Sequence, residues 1–401
     1  MNSLVLYDDA TARRFEPFAL TRPVSELRAG TEIVRRRWEL ALDAEASAFV
    51  GAAHLAEFEE ADAPAALVGD IAAGTILVHS RFAATLAPND PWADVWTCDG
   101  RVAAVRIGRT VSANALRDGT ATLEGFVMPD AAASEVSGWW MNEVWDLIRH
   151  LPEMIASDIT QRVERLDSVS GDEAGAAIIG AHPARVERGA SIEPYVVFDA
   201  SAGPILVRRG ATVAPFSRLV GPCYVGEESM IAGGKVAATS VGEQCRVHGE
   251  VSNSVFLGHA NKSHDGFVGH SYLGRWSNLG ASTVTSNLKN TYGPVALWTP
   301  NGVRSTGMQF LGTLLGDHAK TAIGTRLTTG SVIGAGANVF ATSMTPKVVA
   351  PFSWGGTSDT SVYEIDRFLN VAERVMIRRH VELTERARRW LAAAYAARWQ
   401  V

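Results

Sequence analysis

Cysteine is scarce in this chain: Cys98, Cys223 and Cys245 are the only three in 401 residues. Their wide separation excludes a disulfide framework and a structural zinc site made from paired cysteines. Reduced thiols in a cytoplasmic protein are the expectation. Excess basic charge is missing too. A net charge of −6 and a pI near 6 leave no electrostatic footprint for nucleic acid, although a local Lys or Arg cluster would still serve a small anion. No run approaches the roughly 18 uninterrupted apolar residues of a transmembrane helix. The opening MNSLVLYDDATARRF carries an acidic pair where a signal peptide needs an apolar core. A soluble protein without a membrane or nucleic-acid partner is expected.

What the chain does have is a repeat. From Val207 an aliphatic residue returns at every sixth position: Val207, Val213, Leu219, Val225 and Ile231. The phase slips and resumes at Val241 and Val247, again at Leu273 and Leu279, and again at Ile333 and Val339. Aliphatic-Gly pairs such as Val241-Gly242, Leu273-Gly274, Ile323-Gly324 and Ile333-Gly334 accompany it. A period of six fits neither the 3.6 of an amphipathic helix nor the alternation of a half-buried strand. It fits a three-sided coil that spends about six residues per side, with the aliphatic residue pointing inwards and glycine turning the corner.

The flanks differ in character. MNSLVLYDD, AALVGD and TILVHSRF read as strands and TEIVRRRWELAL as a helix, an alternation that argues for an α/β layer. WWMNEVWDLIRHLPEMIASDITQRVERL reads as helical with one interruption at Pro152. SWGGTSDT reads as a loop, and the segment after it as one long helix whose face is partly traced by Val362, Ile365, Leu369 and Val375. The expected organisation is an α/β domain over 1–138, a helical linker over 139–177, a parallel β-helix over 178–352, and a loop and helix over 353–401.

Polar residues that a β-helix core does not need are concentrated between Glu250 and Asn290. His259, His264 and His270 lie close together there, followed by Asn278, Asn287 and Lys289. Histidine accepts a proton near neutral pH, asparagine suits hydroxyls and amides, and lysine suits a phosphate. Taken singly, each has a plain structural reading as a solvated or turn-capping residue. Their clustering is what marks the segment.

These motifs resemble the family of the bifunctional N-acetylglucosamine-1-phosphate uridyltransferase/glucosamine-1-phosphate acetyltransferase, in particular its shortened relatives. The resemblance implies a left-handed β-helix of hexapeptide repeats. In NKSHDGFVG the family's catalytic histidine falls on His264. Its substrate-binding asparagines fall on Asn278 in SNLGA and Asn287 in TVTSNLKN. Glu250 matches a glutamate near the histidine, Ala281 a position near the acetyl-CoA thioester, and Thr313 a serine that contacts the cofactor. Phe267 replaces a tyrosine and Ser252 a phosphate-binding lysine, for which Lys262 or Lys289 is the available substitute.

The N-terminal stretch PFALTRPVSELRAG resembles part of a sugar nucleotidyltransferase. Val24 stands where that family has its phosphate-binding lysine, and YDDATARRFEP replaces the glycine loop that cradles phosphates. Asp8, Asp9, Arg13, Arg14, Arg22 and Arg28 are the remaining candidates for nucleotide or metal, Arg14 and Arg22 foremost. The function implied is acetyl-CoA-dependent N-acylation of an amino-sugar phosphate or nucleotide sugar by a homotrimer, beside a degenerate nucleotidyltransferase domain. Mg2+ enters only if that domain is active.

Three alternatives stand beside it. The first is an active sugar-1-phosphate nucleotidyltransferase. The second is a metalloenzyme of the β-helix carbonic anhydrase type, with zinc on His259 and His264 completed by His248 or His270. The third is a scaffold that has lost both activities.

Overall fold

The computed structural model describes residues 2–340, 343–355 and 361–400. The chain divides into two compact units, one of Met1–Asp146 with Thr384–Ala397 and one of Leu147–Leu383 with Arg398–Val401.

In the first unit the apolar run LVLY forms the wholly buried part of strand β1 (Asn2–Tyr7). It pairs in parallel with β2 (Ala44–Val50) and with β3 (Ile76–His79). With β4 (Val95–Cys98), β5 (Arg101–Arg106) and β6 (Ala133–Glu135), the sheet order is β6-β4-β5-β3-β1-β2, and β5 runs antiparallel to both β3 and β4. The helix expected from TEIVRRRWELAL is α1 (Val34–Leu42). It starts late because Glu32–Ile33 pairs as a hairpin with Arg28–Ala29. AALVGD is not a sheet strand. Only Ala66 bridges to Phe49, and Gly69, at φ +86, turns the chain away before Asp70–Ile71 pairs off the main sheet.

The tryptophan-rich segment is also corrected. Gly138–Trp140 is a strand paired with Phe82–Ala84, but the break expected at Pro152 is there: Asp146–Arg149 is helical, the helix stops at His150, and Pro152 opens the next. That helix is α2 (Leu151–Arg162), with the proline in its first turn, where the missing N–H has no intrahelical partner to lose.

The second unit is a parallel β-helix. One face is a ladder of ten strands from Ser168–Ser170 to Val348–Val349, antiparallel only at the first pair. A second face includes Val197–Ala200, Ser217–Val220 and Phe267–Gly269; a third includes Thr212–Val213 and Asn261–Lys262. The aliphatic residues of the six-residue period stack in register, Val207 on Val225 and Val213 on Ile231. From Val207 to Val339 every one of them is at most 2% exposed within a single core. At about 1.5–3 kcal/mol per buried aliphatic side chain, this column is what holds the coils together.

Glycine plays a different part from the one expected. At the corners the left-handed backbone is often taken by other residues, among them Tyr195, Phe216, Gln244, Asn253, His259, His270, Trp276 and His318. Most glycines of the aliphatic-Gly pairs answer instead to the close approach of the next coil. A Cβ on Gly242 would lie 2.3 Å from the Leu257 carbonyl oxygen, and one on Gly334 2.3 Å from the Pro351 nitrogen. The last phase slip has its own cause: Leu273 pairs with Leu315, and residues 288–310 leave the coil as an insertion, closed by the Leu288–Phe310 bridge and holding the hairpin of Ala296–Thr299 and Gly302–Ser305.

The expected single terminal helix is two, α3 (Ile365–Ile377) and α4 (Glu385–Ala396), separated by a turn in which His380 has φ +59. The buried stripe of α3 is Phe368, Ala372 and Met376, so Ile365, Leu369 and Val375 form its half-buried margin. Phe368 meets Phe352 edge-on, ring centroids 4.9 Å apart. In SWGGTSDT, Ser353–Gly355 is a strand, and residues 356–360 lie outside the described residues. Helix α4 belongs to the first unit, where Trp390 meets Phe58 at 5.0 Å and Thr384 caps the helix. Among the described residues no helix is long and apolar enough to cross a membrane.

Candidate active site

His264 is exposed on the corner between the third and second faces. The register shows why it projects. Val247 and Glu250 pair with Lys262 and Phe267, so the segment 263–266 faces only residues 248–249 of the preceding coil. The longer corner is tied down from inside. Lys262 is buried, and its Nζ donates to the carbonyl oxygens of His248 at 2.6 Å and His264 at 2.7 Å. Burial pushes the Lys262 ammonium down to about 8, against the opposing attraction of Asp265. Asp265 in turn lies 3.4 Å from His248 Nδ1.

Other candidates lie on the neighbouring coils, some at this corner and some further along the adjoining faces. Glu250 is exposed and in register with Phe267. Ala281 adjoins His264 one coil further on, where the Ser282 N–H donates to the Asp265 carbonyl at 3.1 Å. On the third face the Asn278 side chain accepts from Asn261 Nδ2 at 2.5 Å. On the second face Asn287 Nδ2 sits 2.9 Å from His270 Nδ1. Burial pushes His270 down to about 4, and its ring stacks on Phe310 at 5.3 Å.

Three expectations meet a different environment. Lys262 is occupied by carbonyl oxygens, and Lys289 Nζ donates to the Pro294 carbonyl at 3.1 Å. Thr313 is 2% exposed, and its Oγ1 has no partner among the described residues. His259 points away from His264, with its ring 4.0 Å from Trp276 at another corner. Among the described residues no group of three metal-ligating side chains comes together.

The first unit holds a cavity of about 290 Å³. It opens where β1 and β3 end, the end of an α/β sheet at which ligands collect. Asp9, Thr11, His79, Arg81, Arg101 and Glu124 are among its lining residues, with Trp140 as a wall. Arg81 grips both Asp9 carboxylate oxygens, at 2.6 and 2.8 Å at closest. Burial alone would raise the Asp9 carboxyl, but the Arg81 bonds outweigh it and hold it below the usual range. The Arg101 guanidinium lies 3.7 Å over the Trp140 ring. Burial drives His79 down to about 4, and its Nδ1 has no hydrogen-bond partner among the described residues.

Asp8, wholly desolvated, rises to about 7 despite accepting from the Val24 N–H at 3.1 Å. Of the arginines expected here, Arg22 is 1% exposed in a two-pronged pair with Glu60 at 2.7 and 3.0 Å. Arg14 reaches Thr11, Arg13 donates to main-chain carbonyls of Asp8, Leu116 and Arg117, and Arg28 to that of Thr31. The cavity's own cations, Arg81 and Arg101, escaped the sequence reading. Their signal was position: His79-Ser80-Arg81 ends one strand of the sheet as Asp8-Asp9 ends its neighbour.

Residues 4–165 match the family model described as sugar nucleotidyl transferase. Among curated proteins, a similar relative is the "Bifunctional protein GlmU" of Methanococcus vannielii, 29% identical over 98 residues. The aligned stretch covers 24% of this chain and 23% of that relative, so the match spans under a quarter of the relative's length. The chain is thus similar to sugar nucleotidyl transferases over residues 4–165 and to a GlmU protein over about a quarter of its length.

Proposed function

We propose that this chain is a cytoplasmic, homotrimeric GlmU-like transferase. In this reading its β-helix moves an acetyl group from acetyl-CoA to the amine of a sugar phosphate or nucleotide sugar. The observation that carries the reading is the projecting His264, held from beneath by Lys262, with Glu250 on the preceding coil and Ala281 on the next; Asn278 stands beside Asn261 on the third face and Asn287 beside His270 at the far end of the second. His264 takes the proton from the sugar amine as the nitrogen attacks the thioester carbonyl. Main-chain N–H groups steady the tetrahedral oxyanion. Collapse expels the coenzyme A thiolate, which recovers the proton from the imidazolium. Asn278 and Asn287 orient the acceptor, and Glu250 stands beside the base.

Nucleotidyl transfer by the first unit is weak or absent in this reading. A divalent cation would need free carboxylates, whereas Asp9 is gripped by Arg81 and Asp8 is buried and holds its proton to about 7. That leaves Glu124, which accepts from the Val102 N–H at 3.3 Å, as the one other carboxylate among the cavity's lining residues, and a single carboxylate is a poor fit for Mg2+. The competing reading, an active nucleotidyltransferase, has the cavity beside Arg81 and Arg101 in its favour. Pyrophosphate release from a nucleoside triphosphate and a sugar-1-phosphate would establish it.

The test of the acyltransferase is thiol release from acetyl-CoA against a panel of amino sugars. His264→Ala should lower the rate by about 10²–10⁴-fold with the fold unchanged, and His259→Ala should be much milder. Equal losses in both variants, or no thiol release with any acceptor, would defeat the reading. Light scattering should give a trimer, and a monomer at micromolar concentration would refute that part.

A further inference from the structure

The corner that carries His264 forms a ridge along the β-helix, and the ridge is notched. Tyr195 and Phe216 occupy it on successive coils, 74% and 76% exposed, their rings parallel within 2° and 5.5 Å apart. Below Phe216 the corner shortens. Residues 214–216 of one coil face only 232–233 of the next, and these face His248 alone. Then the corner lengthens again into 263–266, which bears His264. The floor of the recess is Gly234 and Gly249, with φ of +93 and +86; Gly233 beside them is buried, and the His248 ring lies against it, 3.2 Å from where a Cβ would stand. A Cβ on Gly234 would lie 2.4 Å from the Gly249 carbonyl oxygen, so that part of the floor has no room for a side chain.

Beside the recess, on the second face, Arg218, Lys235 and Glu250 stand in register. Arg218 pairs with Asp199 at 2.6 Å. Lys235 is exposed, and no ion pair among the described residues engages it. Arg218 and Lys235 are cross-strand neighbours, and with Asp199 already on Arg218 the ammonium of Lys235 is the group left to meet an anion, opposite Glu250 on its other side. At the 4.7–4.9 Å spacing of strands, Phe216 and the His264 corner are three steps apart, about 14 Å, with Lys235 one step below Phe216.

We propose that this notch receives a nucleoside-diphosphate-linked amino sugar, with the base on the exposed face of Phe216, the diphosphate against Lys235 and Arg218, and the sugar amine at His264. The proposal rests on the acyltransferase reading for the role of His264 and narrows its acceptor to one class. A sugar monophosphate would reach only from His264 towards Lys235 and leave the aromatic pair unused.

The probes are UDP and ADP, titrated calorimetrically into the intact protein without acetyl-CoA, so the result does not depend on acyl transfer. One of them should bind. Phe216→Ala should weaken it by about 5–150-fold, the range of a lost base–aromatic stack. Lys235→Ala should weaken it less and flatten its salt dependence. His264→Ala should bind as the parent does.

In kinetics, Phe216→Ala should raise KM for a nucleotide-linked amino sugar and leave KM for the corresponding sugar-1-phosphate unchanged. Three outcomes would overturn the proposal: no binding of either nucleotide; binding lost in Arg101→Ala but kept in Phe216→Ala, which places the nucleotide in the first unit's cavity; or a Phe216→Ala variant that dissociates into monomers with nucleotide affinity unchanged. Phe216-dependent binding without thiol release would sustain the notch and sink the acyltransferase. Thiol release with sugar phosphates alone, indifferent to Phe216, would do the reverse.

Discussion

Lys262→Met removes the one buried cation that holds the His264 corner, and its effect on stability should depend on pH in a definite direction. The folded protein keeps a proton on Lys262 only to about 8, whereas the unfolded chain keeps it to about 10.5. Between those values the unfolded state binds more protons, so this residue makes the parent protein more stable as pH rises through the window. The difference of about 2.5 pH units corresponds to at most about 3 kcal/mol, less whatever solvent screening removes. A methionine thioether in its place would not titrate. The variant should therefore compare worst with the parent above pH 10 and best at pH 7, where it escapes the cost of a buried charge.

Urea midpoints of both proteins at several pH values measure this, and the quantity to follow is their difference. Lys320, also lowered to about 8 by burial, and Cys223, raised to about 12, titrate in both proteins and cancel. Hydrogen exchange over residues 263–266 should be faster in the variant at every pH, since two carbonyl oxygens lose their donor. A midpoint difference that stays constant from pH 7 to 10.5 would show that Lys262 is solvated and that the clamp does not exist.

Asp8→Asn should show the mirror pattern. The folded carboxyl titrates near 7 against 3.8 unfolded, so its contribution is complete below pH 3.8 and lost as pH rises through about 7, at most on the order of 4 kcal/mol; melting at pH 5 and pH 8 should show the parent falling and the variant not. Gly242→Ala should cost about 3 kcal/mol or more, because the new methyl meets a main-chain oxygen at 2.3 Å. Gly324→Ala, with φ +72 and open space around it, should cost about 1 kcal/mol. Equal melting temperatures for the two glycine variants would overturn the distinction between stacking and turning glycines. Asn287→Ala should raise KM for the acceptor with little change in kcat, and a kcat loss alone would assign it to the transition state.

The β-helix was legible because its core repeats a single constraint. Val207, Val213, Leu219, Val225 and Ile231 all face the same interior, and each coil restates the pattern. The role of glycine was misread because a sequence shows composition at a corner but not the approach of the next coil. Gly242 and Gly274 look like turn residues until Leu257 and Asp317 are seen against them. In the first unit, local patterns identified β1, α1 and β3, yet AALVGD failed since one glycine diverts a run that has strand character.

The candidate site was legible in its residue types and not in its arrangement. His264, Asn278 and Asn287 stood out as polar residues in an apolar repeat. Lys235 and Phe216 did not, and Lys262 was read as a phosphate ligand rather than a clamp, because their meaning lies in register: which residue faces which, one coil away. Asp9 was named from the sequence, but its partner Arg81 is 72 residues distant and only the sheet brings them together.

The return of α4 to the first unit bears on how the protein is made. Its contact surface around Phe58 is synthesised early, and the Trp390 that covers it comes after the whole β-helix. For most of translation the N-terminal unit must therefore stand with an apolar patch open. Glu57 likewise waits for Arg386 and Arg389. The β-helix can add coils one at a time, each upon the last, with no such delay. Completion of the first unit is thus a report that the second has been made, and a ribosome stalled anywhere before residue 384 leaves a chain whose earliest part is its unfinished one.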